Sequence, residues 1–421
     1  MKFNTREYCR LCCGNLHTLF DIGMMSLTGI FPSSIDEYVP TLPLCISKCD
    51  KCELIQLKHD FDISKLYGDT YGYRSGLNNS MVEHLKNVVE YIKNKITIND
   101  NITIIDIGSN DGTLLNNYNI NKDNIQYIGV DPTSLKYKEF FNKNINIIGD
   151  FFSEKIVRSN TSFLNVKIIT TISMFYDLPN PLNFVTDIYN LLDNDGLWFT
   201  EQSYFLSMIN NKSFDTICQE HIEYYCLKQI KYMSDIVGFK IIDVGFNDIN
   251  GGSFYTLLCK KENNNFKECS ELIEKIITDE NIFFKDNIIE KFDNDINNIK
   301  FEIFEFFDNV KKNGLKVHGY GASTKGNVLL QYFNITNEHL EYINEINEYK
   351  FNRYTPGTLI KIISNEQSKN INPDYYFVLP WHFKKNIIKN ELKYIENGGK
   401  LIFPLPNFVI IDKNNYKNHI I

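Results

Sequence analysis

The stretch DTICQEHIEYYC, residues 215–226, brings carboxylate, imidazole, phenol and thiol side chains together in one short run. Glu220 stands directly before His221, and Tyr224 and Tyr225 follow shortly after. A solvated surface helix has no need of this mixture, and a packed core would have to satisfy every polar group. Histidine, glutamate and tyrosine are the usual groups for removing a proton and for stabilising a developing oxyanion. The alternative is a hydrogen-bonded structural network that packs a lid helix.

The stretch can act only if its backbone turns the right side chains towards a substrate. If it is helical, neighbouring residues point about 100° apart, so Glu220 and His221 cannot face the same way. His221 would then share a face with Tyr225, and Glu220 with Tyr224. One of the central pair would meet the substrate while the other orients it from behind.

Length and composition describe an ordinary globular chain. The 421 residues suggest about three domains, with 43% hydrophobic and 23% charged residues. The net charge of −8 argues against a nucleic-acid-binding protein. The first residues lack the apolar core of a signal peptide, and no apolar run is long enough to span a membrane. We expect a cytoplasmic protein without a membrane or nucleic-acid partner.

The ten cysteines are concentrated at the N-terminus, where six lie within the first 52 residues. Cys9 and Cys12 form one C-x-x-C pair, and Cys49 and Cys52 form another. Two such pairs can complete a closed tetrahedral zinc site of structural type. The chain between them, residues 13–48, must form its own loop or strands. The alternatives are buried free thiols or a redox pair.

A glycine-containing turn follows an apolar strand in the middle of the chain. The strand is ITIIDIG, residues 102–108, and GSNDGTLL turns from it into a helix. A second strand, YIGVD, ends at an acid that could bind a ribose diol. The turn fits either a dinucleotide or S-adenosylmethionine. The candidate cofactor-binding residues here are Gly108, Asn110, Asp111, Gly112, Asp131 and Pro132.

The end of this segment favours S-adenosylmethionine over NAD. KIIDVGF and SFYTLLCKK are strand-like runs joined by Asn250-Gly251-Gly252, which supplies hairpin turn chemistry. An antiparallel hairpin that closes a parallel sheet is a feature of class I methyltransferases. Asn110 also stands where a dinucleotide turn has its second glycine. Further candidates lie at the ends of the third, fourth and fifth strands: Asp150 and Phe151, Thr171 and Ser173, and Glu201.

The last segment reads as a second α/β unit after two charged helical runs. A strand, LKVHGYG, leads into a helix that begins within ASTKGNVLLQYF. Ser323, Thr324 and Lys325 stand at the helix N-terminus, where backbone N–H groups and a lysine can bind a phosphate. The alternatives are a second NAD site or a relic fold.

The order of these motifs resembles the sugar C-methyltransferases that build branched deoxysugars. The resemblance rests on the cysteine pairs, YGYRSGLNNSM, DIGSNDGTLL, FDTICQEHIEYY, NGGSF and GYGASTKGN, and it covers essentially the whole chain. It implies an α/β protein with a zinc-binding domain (1–75), a class I, Rossmann-like methyltransferase domain (76–262), a helical connector (263–310) and a second Rossmann-like domain (311–421). The implied reaction is methylation of C3 of an NDP-4-keto-6-deoxyhexose by S-adenosylmethionine, with a dTDP- or GDP-linked substrate and a monomeric enzyme.

The resemblance also implies roles for individual residues. His221 would face the sugar as base or as donor to the keto oxygen, and Glu220 would hold it or bind a hydroxyl. This chain departs from its relatives, which carry tyrosine at Cys218, often histidine at Gln219, and in many cases histidine at Asp177. The identity of the base therefore stays open. Tyr71 and Tyr73 are rivals for it, and Tyr224 and Asp177 complete the candidate catalytic set.

The same resemblance places the diphosphate of the nucleotide sugar on the loop that begins the last helix. The candidate substrate-binding residues are Glu201, Tyr320, Ser323, Thr324, Lys325 and Asn327. Two rival functions remain: an O- or N-methyltransferase acting on a nucleotide sugar, and an NAD-linked oxidoreductase or binding module.

Overall fold

The computed structural model describes residues 3–61, 73–98, 101–118, 124–161, 165–285 and 287–420. The N-terminal part is built of antiparallel strands. Its strands are β1 (Asn4–Thr5), β2 (Leu16–Ser26), β3 (Thr41–Cys49), β4 (Ile55–Leu57) and β5 (His59–Asp60). Strands β2, β3 and β4 form one sheet, and β1 pairs with β5. The chain between the two cysteine pairs thus forms the β2–β3 hairpin.

The middle part alternates helices and strands around one large sheet. Its elements are α1 (Asn79–Lys95), β6 (Ile102–Ile107), α2 (Thr113–Asn116), β7 (Ile125–Val130), β8 (Ile145–Ile148), α3 (Glu154–Ser159), β9 (Val166–Ile172), α4 (Pro181–Leu191), β10 (Leu192–Ser203), α5 (Phe205–Asn210), β11 (Glu223–Tyr224), α6 (Leu227–Val237), β12 (Phe239–Asn247) and β13 (Ser253–Lys260). The seven-stranded sheet has the order β12-β13-β10-β9-β6-β7-β8. Strand β13 runs antiparallel to the other six strands of this sheet.

This sheet has the architecture that the sequence predicts for a class I methyltransferase. Every residue of β6 is buried, as expected for a central parallel strand covered on both faces. Strands β12 and β13 pair as an antiparallel hairpin through the predicted Asn250-Gly251-Gly252 turn. The predicted hairpin is therefore confirmed.

Two long helices, α7 (Ser270–Phe283) and α8 (Ile288–Asn313), lead to a second parallel sheet. The C-terminal elements are β14 (Val317–Tyr320), α9 (Thr324–Phe333), β15 (Ile343–Glu345), β16 (Ile362–Ser364), α10 (Asn365–Ile371), β17 (Tyr375–Val378), α11 (Lys384–Asn390), α12 (Leu392–Glu396), β18 (Lys400–Phe403) and β19 (Val409–Ile411). The strand order is β16-β15-β14-β17-β18-β19, and only the β18–β19 pair is antiparallel. The second α/β unit predicted from the sequence is confirmed.

The stretch 215–226 is not helical, so the helical geometry considered for it is wrong. A short 3-10 turn at Phe214–Thr216 is followed by irregular chain and then by strand β11. Strand β11 pairs with β4 and so becomes the fourth strand of the N-terminal sheet. A distant strand partner therefore decides the backbone here.

None of the helices in the described part of the chain combines the length and apolar character needed to cross a bilayer.

Candidate functional site

The four predicted zinc ligands converge at the base of the N-terminal sheet. The Sγ atoms of Cys9 and Cys52 lie 3.5 Å apart, and those of Cys12 and Cys49 lie 3.4 Å apart. All four sulfur atoms lie within 4.8 Å of one another. A tetrahedral zinc ion with Zn–S bonds of about 2.3 Å separates its ligand sulfurs by about 3.8 Å. The four thiols therefore fit a structural zinc ion.

Hydrogen bonds to the sulfur atoms support thiolate ligands. The backbone N–H of Leu11 donates to Cys9 Sγ at 3.4 Å, and that of Lys51 donates to Cys49 Sγ at 3.3 Å. The side-chain amide of Gln56 also donates to Cys9 Sγ, at 3.1 Å. Donors aimed at sulfur stabilise its negative charge. The sulfur atoms of Cys9 and Cys49 are therefore placed to act as thiolate ligands.

The nearby thiols of Cys13 and Cys45 do not belong to this cluster. Cys13 is exposed, and Cys45 Sγ donates to the backbone oxygen of Ile46. The regular spacing of the two pairs thus marks the ligands correctly.

A cavity of about 400 Å³ opens where β6, β7 and β9 of the large sheet end. Open α/β sheets bind their ligands at this edge. Seven of the predicted cofactor-binding residues line the cavity: Gly108, Asn110, Asp131, Pro132, Asp150, Phe151 and Ser173.

The glycine turn shapes this cavity through its backbone. Gly108 has a φ of 76°, and a Cβ there would meet the side chain of Met174 on the cavity wall. Asn110 also has a left-handed backbone, with a φ of 49°. Its side chain accepts from the N–H of Ser75 at 2.9 Å and donates to the carbonyl of Tyr73 at 3.2 Å. Asn110 thereby fixes the segment before α1 beside the cavity.

Two carboxylates lie on the cavity wall. Asp131 accepts from the N–H of Asn110 at 3.0 Å and from the N–H and hydroxyl of Thr133, both at 2.6 Å. Asp106 is buried in β6 and accepts from the Thr170 hydroxyl at 2.6 Å. Burial raises the pKa of Asp106 to about 7, against the effect of that hydrogen bond. Asp131 thus accepts three hydrogen bonds from the loops at this edge of the sheet.

Three predicted cofactor-binding residues lie outside the cavity wall. Asp111 accepts from a backbone N–H of the segment before α1. Gly112 has a φ of 77° and packs against the ring of Phe141. The Thr171 hydroxyl is buried and accepts from the indole N–H of Trp198 at 3.0 Å. These residues support the cavity from behind.

His221 sits in the irregular chain between the 3-10 turn and β11. Its Nδ1 lies 2.9 Å from the backbone oxygen of Thr216. Since a carbonyl only accepts, Nδ1 carries the proton, which leaves Nε2 with a lone pair. Burial and the nearby charge of Lys325 lower the pKa of His221 to about 3. The imidazole is therefore neutral at physiological pH and can accept a proton.

Glu220, the neighbour of His221, is buried. Burial raises its pKa to about 7, while a hydrogen bond with Cys218 acts in the opposite direction. Glu220 thus exchanges its proton near neutral pH. Groups shifted in this way are typical of acid–base sites.

Lys325 connects the C-terminal part to the cavity at the edge of the large sheet. Its Nζ donates to the backbone oxygen of Asn250 at 3.1 Å. The Asn250 amide in turn donates to the hydroxyl of Ser173 at 3.1 Å, and Ser173 lines the cavity. Burial lowers the pKa of Lys325, while the charge of Asp215 acts in the opposite direction. Lys325 therefore lies close to Asp215 and His221.

A buried carboxylate and indole complete this region. Asp215 Oδ2 accepts from the indole N–H of Trp381 at 2.8 Å. Burial raises the pKa of Asp215 to about 6, and the charge of Lys325 opposes the rise. Burial and Lys325 both lower the pKa of His382, beside Trp381, well below its usual value. Middle and C-terminal residues thus form one buried polar cluster.

The remaining candidate catalytic residues lie around this cluster or outside the described chain. Tyr73 and Asp177 line the cofactor cavity. Tyr224 is buried in β11, and no hydrogen-bond partner is found for its hydroxyl among the described residues. Tyr71 lies outside the described residues.

The predicted phosphate loop begins α9 with a capped N-terminus. Ser323 is the N-cap, and its hydroxyl accepts from the N–H of Gly326 at 3.0 Å. Thr324 is the first residue of the helix, with a half-buried side chain. The Tyr320 hydroxyl donates to Glu391 at 3.1 Å.

Two other predicted substrate residues are engaged in contacts within the protein. The Asn327 amide is buried and donates to the backbone oxygen of Thr28 at 2.7 Å. Glu201 is fully buried, with His84 Nε2 at 2.7 Å and the Asn247 amide at 2.9 Å. Both side chains join parts of the fold in this structure.

Comparison with known families covers nearly the whole chain in three consecutive parts. Residues 9–67 match a zinc binding domain, residues 80–244 match a methyltransferase domain, and residues 248–406 match a C-methyltransferase C-terminal domain. The C-methyltransferase NovU of Streptomyces niveus is 26% identical over 367 residues, which are 86% of each chain. The chain is a C-methyltransferase.

The family resemblance drawn from the sequence is therefore confirmed for this C-methyltransferase, and S-adenosylmethionine is its methyl donor. Solved structures match part of the chain. The plantazolicin methyltransferase BpumL, in complex with S-adenosylhomocysteine, matches with a TM-score of 0.34 and 13% identity, over 42% of this chain and 82% of that one. Coclaurine N-methyltransferase matches with a TM-score of 0.32 and 12% identity, over 42% and 73%. Neither likeness supports a conclusion about substrate.

Sequence reasoning missed several residues of the site. Asp106 could have been noticed as the one acid in an otherwise apolar strand. Asp215 is the first residue of the stretch 215–226, but its residue type and position did not indicate a role. Thr28 carried no signal, because its importance arises from partners in the other two parts of the C-methyltransferase.

Proposed function

We propose that this C-methyltransferase methylates C3 of a nucleotide-linked 4-keto-6-deoxyhexose. The proposed substrate carries a ketone beside the reacting carbon, so loss of the C3 proton gives an enolate. S-adenosylmethionine supplies the methyl group that this carbon accepts. In this proposal residues 1–75 bind zinc and residues 76–262 bind the methyl donor. Residues 263–310 connect the methyltransferase domain to residues 311–421, which bind the nucleotide.

The observation that carries the proposal is the neutral His221, which lies close to Lys325 in the buried polar cluster. Its Nδ1 is occupied by the backbone oxygen of Thr216, so Nε2 is available to take up a proton. Methyl transfer to oxygen or nitrogen does not require removal of a carbon-bound proton. Carbon methylation requires a group that accepts a proton, and the unprotonated Nε2 of a neutral imidazole is such a group.

Three charged or titratable groups would take part in forming the enolate. His221 Nε2 would take the C3 proton. The Lys325 ammonium would favour negative charge on the keto oxygen and keep His221 neutral. Glu220, with a pKa near 7, would bind a sugar hydroxyl or donate to the ketone when protonated. Electrostatic stabilisation of a developing oxyanion is commonly a large share of catalysis.

The nucleotide end would bind at the N-terminus of α9. Ser323 and Thr324 lie there, and the backbone N–H groups of a helix N-terminus favour a phosphate. The Lys325 side chain is turned towards Asn250 and lies close to His221. We therefore assign Lys325 to the sugar end of the substrate rather than to the diphosphate.

The test is hydrogen exchange at C3 in deuterated water, with S-adenosylhomocysteine in place of the donor. Only carbon methylation through an enolate predicts incorporation of deuterium at C3. With the donor present, the product should gain a methyl group on carbon. His221→Asn should slow both reactions by at least about 100-fold, the usual contribution of a general base.

The matched control is His17→Asn, because His17 is an exposed residue of β2. It should exchange and methylate at the wild-type rate. A product methylated on oxygen or nitrogen, or near-normal turnover by His221→Asn, would refute the proposal.

A further inference from the structure

The chain on both sides of Glu220 and His221 is attached to the N-terminal domain. Gln219 precedes the pair, and strand β11 begins two positions after His221. Each of these flanks is bonded to residues from the first 60 positions. The loop is therefore held from outside the methyltransferase domain.

The attachment before the pair is made by Gln219. Its side-chain oxygen accepts from the N–H of Thr28 at 3.2 Å and from the Thr28 hydroxyl at 3.0 Å. Its amide lies 3.4 Å from the backbone oxygen of Met25. The carbonyl of Thr28 accepts from Asn327 of the C-terminal domain. Thr28 thus joins all three domains at one buried point.

Glu220 itself packs against the same segment. A Cβ built on Gly29 would come within the contact distance of Glu220 Oε1, closer than real Cβ atoms approach oxygen. The φ of Gly29 is not in the left-handed region, so its backbone accepts any residue. An alanine at Gly29 would therefore displace the Glu220 carboxyl without straining the backbone.

The attachment after the pair is made by β11. Glu223 lies opposite Gln56 in the pairing with β4, and the N–H of Leu57 donates to the backbone oxygen of Ile222 at 2.8 Å. Gln56 also donates to the zinc ligand Cys9. The zinc site and the loop are consequently linked through one side chain.

We propose that the segment Met25–Gly29 of the zinc-binding domain positions the Glu220–His221 pair, with Thr28 as the positioning residue. This inference rests on the proposed function for its activity readout. Thr28 and Gly29 do not act on the substrate. They fix the positions of the Glu220 carboxyl and the His221 ring, because residues 217–222 form neither helix nor strand.

The experiment compares Thr28→Val, Thr28→Ser and Gly29→Ala in the full chain. Valine keeps the shape of threonine and removes the hydroxyl bond to Gln219, whereas serine retains the bond. Gly29→Ala pushes directly on Glu220. Thr5→Val is the matched control, since Thr5 is an exposed threonine of β1.

Three measurements are made on each variant: deuterium exchange at C3 of the keto-sugar, affinity for S-adenosylhomocysteine, and amide hydrogen exchange in peptides covering 217–224. We expect Thr28→Val and Gly29→Ala to slow C3 exchange by about tenfold or more, because small displacements of catalytic groups have large effects. Affinity for S-adenosylhomocysteine should stay within about twofold, as the cavity is not touched. The 217–224 amides should exchange faster in Thr28→Val, and Thr28→Ser should restore both readouts.

The inference is overturned if the 217–224 amides of Thr28→Val exchange as in the wild type, whatever the sugar does. It is also overturned if Thr28→Val and Gly29→Ala lose S-adenosylhomocysteine binding together with activity, which would indicate general misfolding. Absence of C3 exchange in the wild type would refute the proposed function alone, because the amide exchange still tests the positioning role.

Discussion

Replacing Glu220 by glutamine should make the protein more stable and less active. The gain in stability should depend on pH. Burial raises the pKa of Glu220 from 4.5 to about 7. The folded chain therefore holds this proton more tightly than the unfolded chain. The stability of the wild type falls as pH rises from 4.5 to 7, and the full cost is present above pH 7. At 1.36 kcal/mol per pH unit, that cost is about 3 kcal/mol.

Glutamine has no carboxyl to ionise, so Glu220→Gln escapes this cost. Its advantage over the wild type should be small near pH 4.5 and about 3 kcal/mol at pH 8. For a chain of this length unfolding as one unit, that corresponds to a rise of about 3 °C in melting temperature. The C3 exchange of Glu220→Gln should nevertheless fall.

The assay is thermal unfolding of wild type and variant, side by side, at several pH values from 5 to 8. Comparing the two proteins at each pH cancels effects that they share, such as weaker zinc binding in acid. A difference in melting temperature that does not change with pH would show that Glu220 is not held protonated by burial. The same result would remove the electrostatic basis for its proposed role.

Three further outcomes follow from the site. Lys325→Met should raise the pKa of His221, because the charge of Lys325 lowers it; an NMR titration of the His221 ring measures this, and an unchanged pKa contradicts it. Cys9→Ser should lower bound zinc below one ion per chain and lower the melting temperature, whereas Cys13→Ser, at an exposed thiol, should do neither; metal analysis after dialysis decides. Asp131→Asn should weaken S-adenosylhomocysteine binding by about tenfold or more, as expected for loss of a charged acceptor, and calorimetry showing an unchanged affinity would rule that out.

The sequence predicts the elements whose signals are local. The strand at 102–107 is mostly apolar, and the hairpin of β12 and β13 has its turn residues in place. The cysteine pairs reveal the metal ligands because two residues of a tight turn suffice to bring each pair together. In each case the deciding residues are neighbours in the chain.

The conformation of 215–226 could not be predicted in the same way. Its strand partner β4 lies far away in sequence and belongs to another domain. Lys325 stands at a helix N-terminus, which favours a phosphate site, yet its side chain turns to Asn250 across a domain boundary. Asn327 is likewise committed to Thr28. Long-range contacts of this kind leave no periodic trace in the sequence.

Strand β11 also limits how this protein can be divided. The family matches suggest cuts between residues 67 and 80 and between 244 and 248. A fragment cut there would leave β4 as a bare sheet edge, open to pairing with other molecules, and would deprive Glu223–Tyr224 of its only ladder among the described strands. Chimeras that exchange the first 67 residues between relatives would need compatible β4 and β11 sequences. Recombination between these enzymes is therefore constrained by a pairing of two residues.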